Sequence, residues 1–288
     1  MRDSARALLT RWRSRPGEPT EPGPAPAAEA AAPEEDAGMF PESRWFADHV
    51  DAARQVIAFM GGDGLTVEGK QVADIGCGDG IIDLGLVQEG NPERLVGFDL
   101  NLTDAGGLLE RARAEGYVDE LPPNLVFTGS APDRIPAEDG EFDVLVSWSA
   151  FEHVSDPAGM ATEMRRIIRP DGVLFLQLWP FYYSEHGGHL FDWYPGGFAH
   201  LVNSDDVIKR RMLEEDVKPH SEYIWSEFSS LNKITVDDLG EALRKGGFDV
   251  VKVELITNAS HIPSEIAHLP LSHLLVSGVK LLARPRST

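Results

Sequence analysis

The sequence predicts an α/β fold built on a parallel sheet, and three observations support this prediction. Short apolar runs alternate with segments of helical periodicity from residue 71 to residue 178. The run at 142–147 is apolar along most of its length, as central strands buried on both faces are. The run at 71–75 leads directly into a glycine-rich turn and a new helical segment. Strands that alternate with helices specify a parallel sheet.

The individual elements follow in order from these patterns. Apolar residues recur at helical spacing from Trp45 to Met60, and the glycines within 61–64 end that helix. Apolar runs bounded by turn residues predict the strands, and Pro170 and Gly172 predict a turn before the fifth one. The predicted strands are 71–75, 94–99, 125–128, 142–147, 173–178, 249–255 and 274–283. The other predicted helices are 80–89, 104–115, one ending at 168 and one over 235–246.

Residues 71–99 have the layout of a nucleotide-binding βαβ unit. Glycines stand at three alternating positions, Gly76, Gly78 and Gly80, immediately after the first strand. Glycine has no Cβ and tolerates positive φ, so the backbone at these positions can approach a ligand closely. The second strand ends at Asp99, and a carboxylate at that point can accept hydrogen bonds from the hydroxyls of a ribose.

The spacing of the glycines indicates which kind of cofactor binds. A dinucleotide fingerprint needs a small residue where this chain has Ile81, and no Gly-Lys-Ser/Thr sequence follows to make a Walker loop. Asp74, two residues before the first glycine, would repel a pyrophosphate. The same carboxylate suits a ligand that carries an ammonium and a sulfonium group.

Residues 74–80 followed by 97–100 resemble motif I and the acidic second-strand end of class I S-adenosylmethionine-dependent methyltransferases. Residues 141–157 and 166–174 resemble the motifs around strands 4 and 5 of the small-molecule members, such as the enzymes of the ubiquinone and menaquinone pathways. The resemblance implies a Rossmann-like fold. That fold has a seven-stranded, mostly parallel sheet with helices on both faces and an antiparallel last strand.

The resemblance also implies S-adenosylmethionine as the cofactor and assigns it a set of binding residues. Asp74 and the glycine loop would meet the methionine end, whereas Asp99 would bind the ribose. Leu100, Ser130 and Ala131 are expected at the adenine, and Ser147 and Trp148 beside the transferring methyl. The full set is Asp74, Gly76, Cys77, Gly78, Gly80, Asp99, Leu100, Ser130, Ala131, Ser147 and Trp148. The alternatives are a plain turn for the glycines and a solvated strand end for Asp99.

Three histidines are candidate catalytic residues. If the acceptor is a hydroxyl, a general base helps, and histidine is suited to that role near neutral pH. His153 follows the fourth strand at the carboxyl edge of the sheet, where ligands bind in open α/β folds. His189 and His200 lie further on, in the segment 179–231. For His153 the alternative is a residue that begins a helix and bonds to backbone.

The segment 179–231 is interpreted as an insertion in the domain. Eight of the 24 aromatic residues (6 Trp, 5 Tyr and 13 Phe) fall within its first twenty positions. An insertion at the carboxyl edge can cap an acceptor pocket, or it can form a small core of its own. His189 and His200 could also bind a metal with Glu185 or Asp192. Because the aspartate clusters of magnesium-dependent methyltransferases are not evident, no metal ligand is assigned.

The composition limits the possible partners. A formal charge of -21, from 47 acidic against 26 basic residues, disfavours a nucleic acid held through its phosphates. No apolar run approaches the roughly 20 residues that span a bilayer, so no integral membrane segment is expected. The single cysteine, Cys77, fits a reducing cytoplasm. We therefore expect a cytoplasmic protein with a small-molecule acceptor, and we make no prediction of its oligomeric state.

Residues 1–38 are expected to be a disordered tail and linker ahead of a methyltransferase domain at 39–288. The part from 16 to 38 is rich in Pro, Ala, Glu and Gly and has little to bury. Residues 1–15 carry five arginines beside three large apolar side chains. We expect a flexible basic terminus there, with a transit peptide or an arm that touches a membrane or a partner as alternatives.

Taken together, these patterns predict an enzyme that transfers a methyl group from S-adenosylmethionine to a small or carrier-bound metabolite, with oxygen as the favoured acceptor atom. Two other hypotheses stay open from the sequence. One is a catalytically silent S-adenosylmethionine-binding protein that regulates a partner, and the other is a nicotinamide-dependent oxidoreductase.

Overall fold

A computed structural model describes residues 42–287, with side chains described from residue 44 onward. The predicted tail and linker at 1–38 lie outside the described residues. The strands are β1 (Gln71–Ile75), β2 (Arg94–Asp99), β3 (Leu125–Gly129), β4 (Phe142–Trp148), β5 (Ile168–Leu178), β6 (Phe248–Thr257) and β7 (Val276–Pro285). The helices are α1 (Glu42–Gly61), α2 (Ile81–Gly90), α3 (Ala105–Ala114), α4 (Pro157–Ile167), α5 (Ala199–Val202), α6 (Asp205–Arg210), α7 (Ser221–Ser230), α8 (Val236–Lys245) and α9 (Leu271–Leu275).

The seven strands form one sheet in the order β3-β2-β1-β4-β5-β7-β6. The first five strands pair in parallel, and β7 runs antiparallel to both of its neighbours, β5 and β6. The predicted fold class is therefore confirmed. The strand order reverses direction between β1 and β4, and ligands of open α/β sheets bind at the carboxyl ends of strands at such a point.

Helices cover both faces of this sheet. On one face, α1 and α2 pack on the sheet through a core that includes Val56, Met60 and Leu86. On the other, α4 and α8 pack through a core that includes Met164 and Leu243. The helix α2 is buried on nearly every side because α1 covers the face that the sheet does not, and this explains its apolar sequence.

The helices on the second face begin at strong sequence signals. Thr235 caps α8: its hydroxyl accepts from the Asp238 N–H, while the Asp238 carboxylate accepts from the Thr235 N–H. Asp156 caps α4 by accepting from the Gly159 N–H, with Pro157 in the first turn. Such caps satisfy backbone donors that would otherwise lack partners at a helix start. The cap at Thr235 explains why the start of α8 could be predicted.

The start of strand 5 was predicted wrongly. The sequence places a turn at 170–172 and starts strand 5 at 173, but β5 begins at Ile168, directly after α4. The first residues of β5 pair irregularly with β4, with a register shift between Phe142 and Val144. Gly172 fits there because a Cβ would lie only 2.8 Å from the Asp143 carbonyl oxygen. The turn residues therefore mark a bulge within the strand.

The segment 179–231 has a small apolar core of its own. Tyr182, Trp193, Met212 and Phe228 are buried in it, and α6, α7 and a π-helical turn at Arg211–Glu215 enclose it. The aromatic residues that suggested a lid thus serve largely as packing. Among the described helices, none combines the length and apolar character that crossing a membrane requires.

Candidate active site

The glycine loop after β1 adopts a backbone that requires glycine. Gly76, Gly78 and Gly80 have φ angles of 84°, 53° and 77°, which L side chains rarely adopt. A Cβ on Gly76 would lie 2.3 Å from the Cβ of Ala150. The Gly76 N–H donates to the Phe98 carbonyl oxygen at 2.8 Å, so the loop is tied to β2. The result is a stretch of bare backbone at the carboxyl end of β1.

The residues predicted for the ribose and adenine come together beside this loop. The Asp99 carboxylate accepts hydrogen bonds from the Gly78 N–H at 3.0 Å and the Asn101 N–H at 3.1 Å. Each carboxylate oxygen keeps a further lone pair for a ribose hydroxyl. The Ser130 N–H donates to the Asp99 carbonyl oxygen at 2.7 Å, which brings Ser130 and Ala131 beside it. Leu100 leaves 61% of its surface exposed, an apolar patch suited to a flat ring.

Asp74 lies beneath the loop, only 2% exposed, in contact with Asp83 of α2. Its Oδ1 and both Asp83 oxygens have no hydrogen-bond partner among the described residues. Burial, and then the charge of Asp99, raise the pKa of Asp74 to about 7. Burial raises the pKa of Asp83 further above its usual range, followed by the charge of Asp74. The predicted contact of Asp74 with the cofactor stays a prediction, and the sequence reasoning did not single out Asp83.

Cys77, Ser147 and Trp148 have side chains that are engaged inside the protein. The Cys77 Sγ is buried and lies 3.3 Å from the Thr103 hydroxyl. The Ser147 hydroxyl is fully buried and donates to the Ile75 carbonyl oxygen at 2.9 Å, tying β4 to β1. Trp148 stacks on Phe175, with ring centroids 6.2 Å apart. The contact of these residues with the cofactor stays a prediction. Because the Ser147 hydroxyl already donates to the Ile75 carbonyl oxygen, a contact at Ser147 would come from its backbone.

His153 lies in a short 3-10 turn, Phe151–His153, just after β4. Its Nδ1 is 2.6 Å from the Ser230 hydroxyl oxygen, and its Nε2 is 3.4 Å from Glu227 Oε2. The His153 and Glu227 side chains are 23% and 32% exposed, so both reach the surface of the cleft. Burial lowers the pKa of His153. Neither Glu227 nor Ser230 was predicted as a site residue.

Glu152 and His189 adjoin His153. Both Glu152 carboxyl oxygens and the His189 Nε2 are buried, with no hydrogen-bond partner among the described residues. Burial raises the pKa of Glu152 to about 8 and lowers that of His189 to about 4. The His153 and His189 rings meet edge to face, with centroids 5.8 Å apart. Two of the three predicted histidines are therefore neighbours, beside a buried acid that the predicted set of site residues leaves out.

One donor atom from each of Glu152, His153 and His189 lies within 4.8 Å of the others, a spacing that would also admit a metal ion. Both ring nitrogens of His153 already face partners, Ser230 and Glu227. We therefore describe this group as a hydrogen-bonding site and assign no metal ligand.

His200 lies apart from this group. It is buried, its Nε2 bonds to the Tyr182 carbonyl oxygen, and its ring packs edge to face on Tyr182. Burial lowers the pKa of His200 to about 4. These contacts belong to the small core of the insertion, and a catalytic role for His200 stays a prediction without geometric support.

Two side chains of α7, Tyr223 and Glu227, lie near the acids of the glycine loop and of β2. Burial, and then the charge of Asp99, raise the pKa of Glu227, which shows that the two carboxylates are close. Partial burial, then Glu227 and Asp79, raise the pKa of Tyr223. No sequence motif marks these two positions. Only their spacing of four residues, which aligns them on one helix face, could have suggested that they act together.

These features fit S-adenosylmethionine. The bare glycine backbone admits a ligand, Asp99 has lone pairs for the ribose, and Leu100 offers an apolar surface for the adenine. Asp99 and Glu227 make this site acidic, which favours a cofactor carrying an ammonium and a sulfonium group. The site would therefore hold the cofactor through Asp99, the glycine loop and the residues after β3.

Comparisons with known proteins agree with this geometry. The model of a methyltransferase domain family matches residues 46–253. A ubiquinone biosynthesis O-methyltransferase of Neisseria meningitidis serogroup A is 24% identical over 189 residues, which are 66% of this chain and 68% of that protein.

Two solved structures share the fold at low sequence identity. A Listeria monocytogenes structure described as an S-adenosylmethionine-dependent methyltransferase is 16% identical with a TM-score of 0.51, covering 85% of this chain and all of that one. The cyclase SpnF is 16% identical with a TM-score of 0.51, covering 88% and 86% of the two chains. The family match begins within α1 and ends within β6. It includes the glycine loop, Asp99 and the turn that carries His153. The chain therefore belongs to the methyltransferase domain family and is an S-adenosylmethionine-dependent methyltransferase.

Proposed function

We propose that this enzyme methylates a hydroxyl group of a small or carrier-bound metabolite. The observation that carries the proposal is the His153 imidazole, which reaches the cleft surface after β4 and directs its Nε2 toward Glu227. A sulfonium methyl needs little activation, whereas a neutral hydroxyl gains from a base that takes its proton. The name of the Neisseria relative, an O-methyltransferase, also supports oxygen as the acceptor atom.

The protein residues in this proposal bind, orient and move a proton. Bound S-adenosylmethionine supplies a methyl group that is already activated on sulfur. Asp99 and the glycine loop position it, and His153 takes the acceptor proton. Orientation and exclusion of water then supply much of the rate.

The acceptor we propose is neutral and aromatic, or a sugar. Aromatic rings such as Trp179 and Phe191, stacked with centroids 6.0 Å apart in the insertion, offer surfaces for a flat or apolar molecule. We further propose a cytoplasmic location and no nucleic-acid substrate, on the grounds of the single cysteine and the acidic charge.

Transfer assays test this proposal. The full chain is incubated with labelled S-adenosylmethionine and a panel of catechols, phenols, sugars and matched amines, with Asp99→Ala as the inactive control. We expect transfer to at least one hydroxyl acceptor and weaker transfer to its amine analogue. Transfer to amines alone would contradict O-methylation.

The fold also occurs in the cyclase SpnF, so binding and transfer must be measured separately. Calorimetric titration with S-adenosylhomocysteine and with NAD separates a methyltransferase site from a nicotinamide site. We expect binding of S-adenosylhomocysteine only. Binding without transfer to any acceptor would favour the silent, regulatory alternative.

A further inference from the structure

The helix α7 presents one face to His153. Tyr223, Glu227 and Ser230 stand at intervals of four and three residues and so share a side of the helix. Ser230 and Glu227 contact the two ring nitrogens of His153, at 2.6 Å and 3.4 Å. One helix turn thus engages both ends of the imidazole.

The contacts of Ser230 bear on which ring nitrogen of His153 carries the proton. Its hydroxyl donates to the Glu227 carbonyl oxygen at 2.8 Å, and a hydroxyl has only one proton to give. While the Ser230 hydroxyl keeps that bond, its oxygen can only accept from His153, and in this arrangement the Nδ1 carries the hydrogen. A neutral imidazole has one N–H, which leaves a lone pair on Nε2.

That Nε2 lone pair faces the Glu227 carboxyl group. Burial disfavours the charged form of His153, as its lowered pKa indicates. A protonated Nε2 would form an ion pair with Glu227 at 3.4 Å, and this pair would offset the cost of charging the partly buried ring.

Asn232, two residues after the end of α7, holds this contact in place. The Asn232 side chain donates to the Phe151 and Val154 carbonyl oxygens at 2.7 and 2.8 Å. The Asn232 N–H donates to the Glu152 carbonyl oxygen at 2.8 Å. The end of α7 and the turn that carries His153 are therefore one connected unit.

We propose that α7 prepares His153 as the base, with Ser230 fixing the tautomer and Glu227 compensating the charge that the ring acquires. This inference rests on the proposed O-methylation. The acceptor O–H bond breaks and its proton goes to Nε2. The electron pair left on oxygen forms the new O–C bond while the S–C bond of the donor breaks, leaving a thioether. Ser230 and Glu227 are positioning residues in this scheme, and His153 is the group that meets the acceptor.

The tautomer can be observed without knowing the acceptor. The full chain is labelled with ¹⁵N-histidine, saturated with S-adenosylhomocysteine at pH 7.5, and examined by long-range proton–nitrogen NMR. His153→Gln assigns the signals. We expect a protonated Nδ1 and an unprotonated Nε2 in the wild type, and a shift toward the Nε2–H form in Ser230→Ala.

Ser229→Ala is a matched control, because the Ser229 hydroxyl makes a similar bond within the helix, to the Trp225 carbonyl oxygen at 2.7 Å. It should leave the His153 signals unchanged, and Ser230→Thr, which keeps the hydroxyl, should restore the wild-type tautomer. A wild-type ring protonated on Nε2, or a Ser230→Ala spectrum identical to wild type, would overturn the assignment.

Kinetics test the part assigned to Glu227. With a hydroxyl acceptor from the panel, we expect Glu227→Gln to lower kcat by at least about tenfold, within the range of general-base effects, and to change the acceptor KM by less than about threefold. Glu222→Gln, an exposed change on α7, is the control. If kcat is unchanged in Glu227→Gln, the proposal that Glu227 compensates the charge on His153 is overturned. A wild type that methylates no hydroxyl overturns the proposed function and the proton transfer with it, whereas a wrong tautomer alone overturns only the role of α7.

Discussion

The carboxyl group of Asp83 is buried against that of Asp74 beneath the glycine loop, and neither Asp83 oxygen has a hydrogen-bond partner among the described residues. Two carboxylates cannot both be ionised at such a place without large repulsion, so the pair retains a proton. The folded protein therefore binds a proton that the unfolded chain has released at neutral pH. This relationship links the stability of the cofactor loop to pH.

Asp83→Asn should stabilise the protein above neutral pH. Burial, and then the charge of Asp74, raise the pKa of Asp83 well above the ordinary aspartate value of about 4, so the stability contributed by its retained proton is fully present below about pH 4 and is lost as the pH rises toward the raised pKa. We expect the free energy of unfolding of Asp83→Asn at pH 8 to exceed that of the wild type by about 1–2 kcal/mol, with a smaller difference at pH 5. Urea unfolding measures it, with the exposed Asp206→Asn as control. Parallel pH profiles of variant and wild type would argue against a shared proton.

Asp99→Ala should abolish tight cofactor binding. The change removes the predicted ribose acceptor and also the two bonds that hold the Gly78 and Asn101 N–H groups. Since hydrogen bonds to charged groups contribute about 1.5–3 kcal/mol each, we expect at least a hundredfold loss in S-adenosylhomocysteine affinity by calorimetry. Glu110→Ala, exposed on α3, should bind as the wild type does. Retained affinity in Asp99→Ala would remove Asp99 from the ribose site.

His153→Gln should slow transfer without weakening cofactor binding. Its imidazole is the proposed base, and general bases contribute typically 10²–10⁴-fold to a rate. We expect kcat to fall by about a hundredfold, with S-adenosylhomocysteine affinity within about twofold of the wild type. If the variant keeps full activity, His153 has a structural role.

Arg166→Ala should destabilise the fold. Arg166 pairs with Glu163 at 2.7 Å and donates to the Ile135 and Ala137 carbonyl oxygens. The hydrogen bond from Arg166 lowers the pKa of Glu163, so its contribution is present above pH 4.5 and is lost at more acidic pH. Removing one partner of a buried pair costs about 3–5 kcal/mol. We expect a loss of that size at pH 7 by urea unfolding and a smaller one at pH 4. Arg165→Ala, the half-exposed neighbour, should cost far less.

His200→Gln should make the insertion less sensitive to acid. The pKa of His200 is lowered to about 4 in the fold, so the unfolded chain takes up a proton first and stability falls as the pH drops from about 6.5 to 4. Glutamine can still donate to the Tyr182 carbonyl oxygen but does not titrate in this range. Unfolding followed by tryptophan fluorescence at pH 7, 6 and 5 measures the change, with the exposed His261→Gln as control. If the free energy of unfolding of His200→Gln falls with decreasing pH as steeply as that of the wild type, His200 is not the group that makes the protein sensitive to acid.

Much of the sheet could be predicted because parallel buried strands are continuous apolar runs. The predicted bounds of the first two strands, 71–75 and 94–99, coincide with β1 and β2. The start of β5 was missed because Pro170 and Gly172, which usually signal a turn, lie in a bulge. Local sequence does not distinguish these two uses of the same residues.

The candidate site could be predicted only where it is local in sequence. The glycine loop and Asp99 are close along the chain, and their spacing carries the signal. His153 and Ser230 are 77 positions apart, and no periodicity connects them. Asp83 was detectable in principle, since a carboxylate among the apolar residues of α2 conflicts with a buried helix unless it has a special environment.

The hydrogen bonds made by Asn232 have a consequence for how α7 can move. They fasten the carboxyl end of α7 to the turn that carries His153, so this end acts as a pivot. A swing of α7 about that pivot has its smallest amplitude at Ser230 and a larger one at Tyr223, more than a full turn away. Any such motion would displace Tyr223 more than Ser230, so the contact between Ser230 and His153 lies at the least mobile part of the helix.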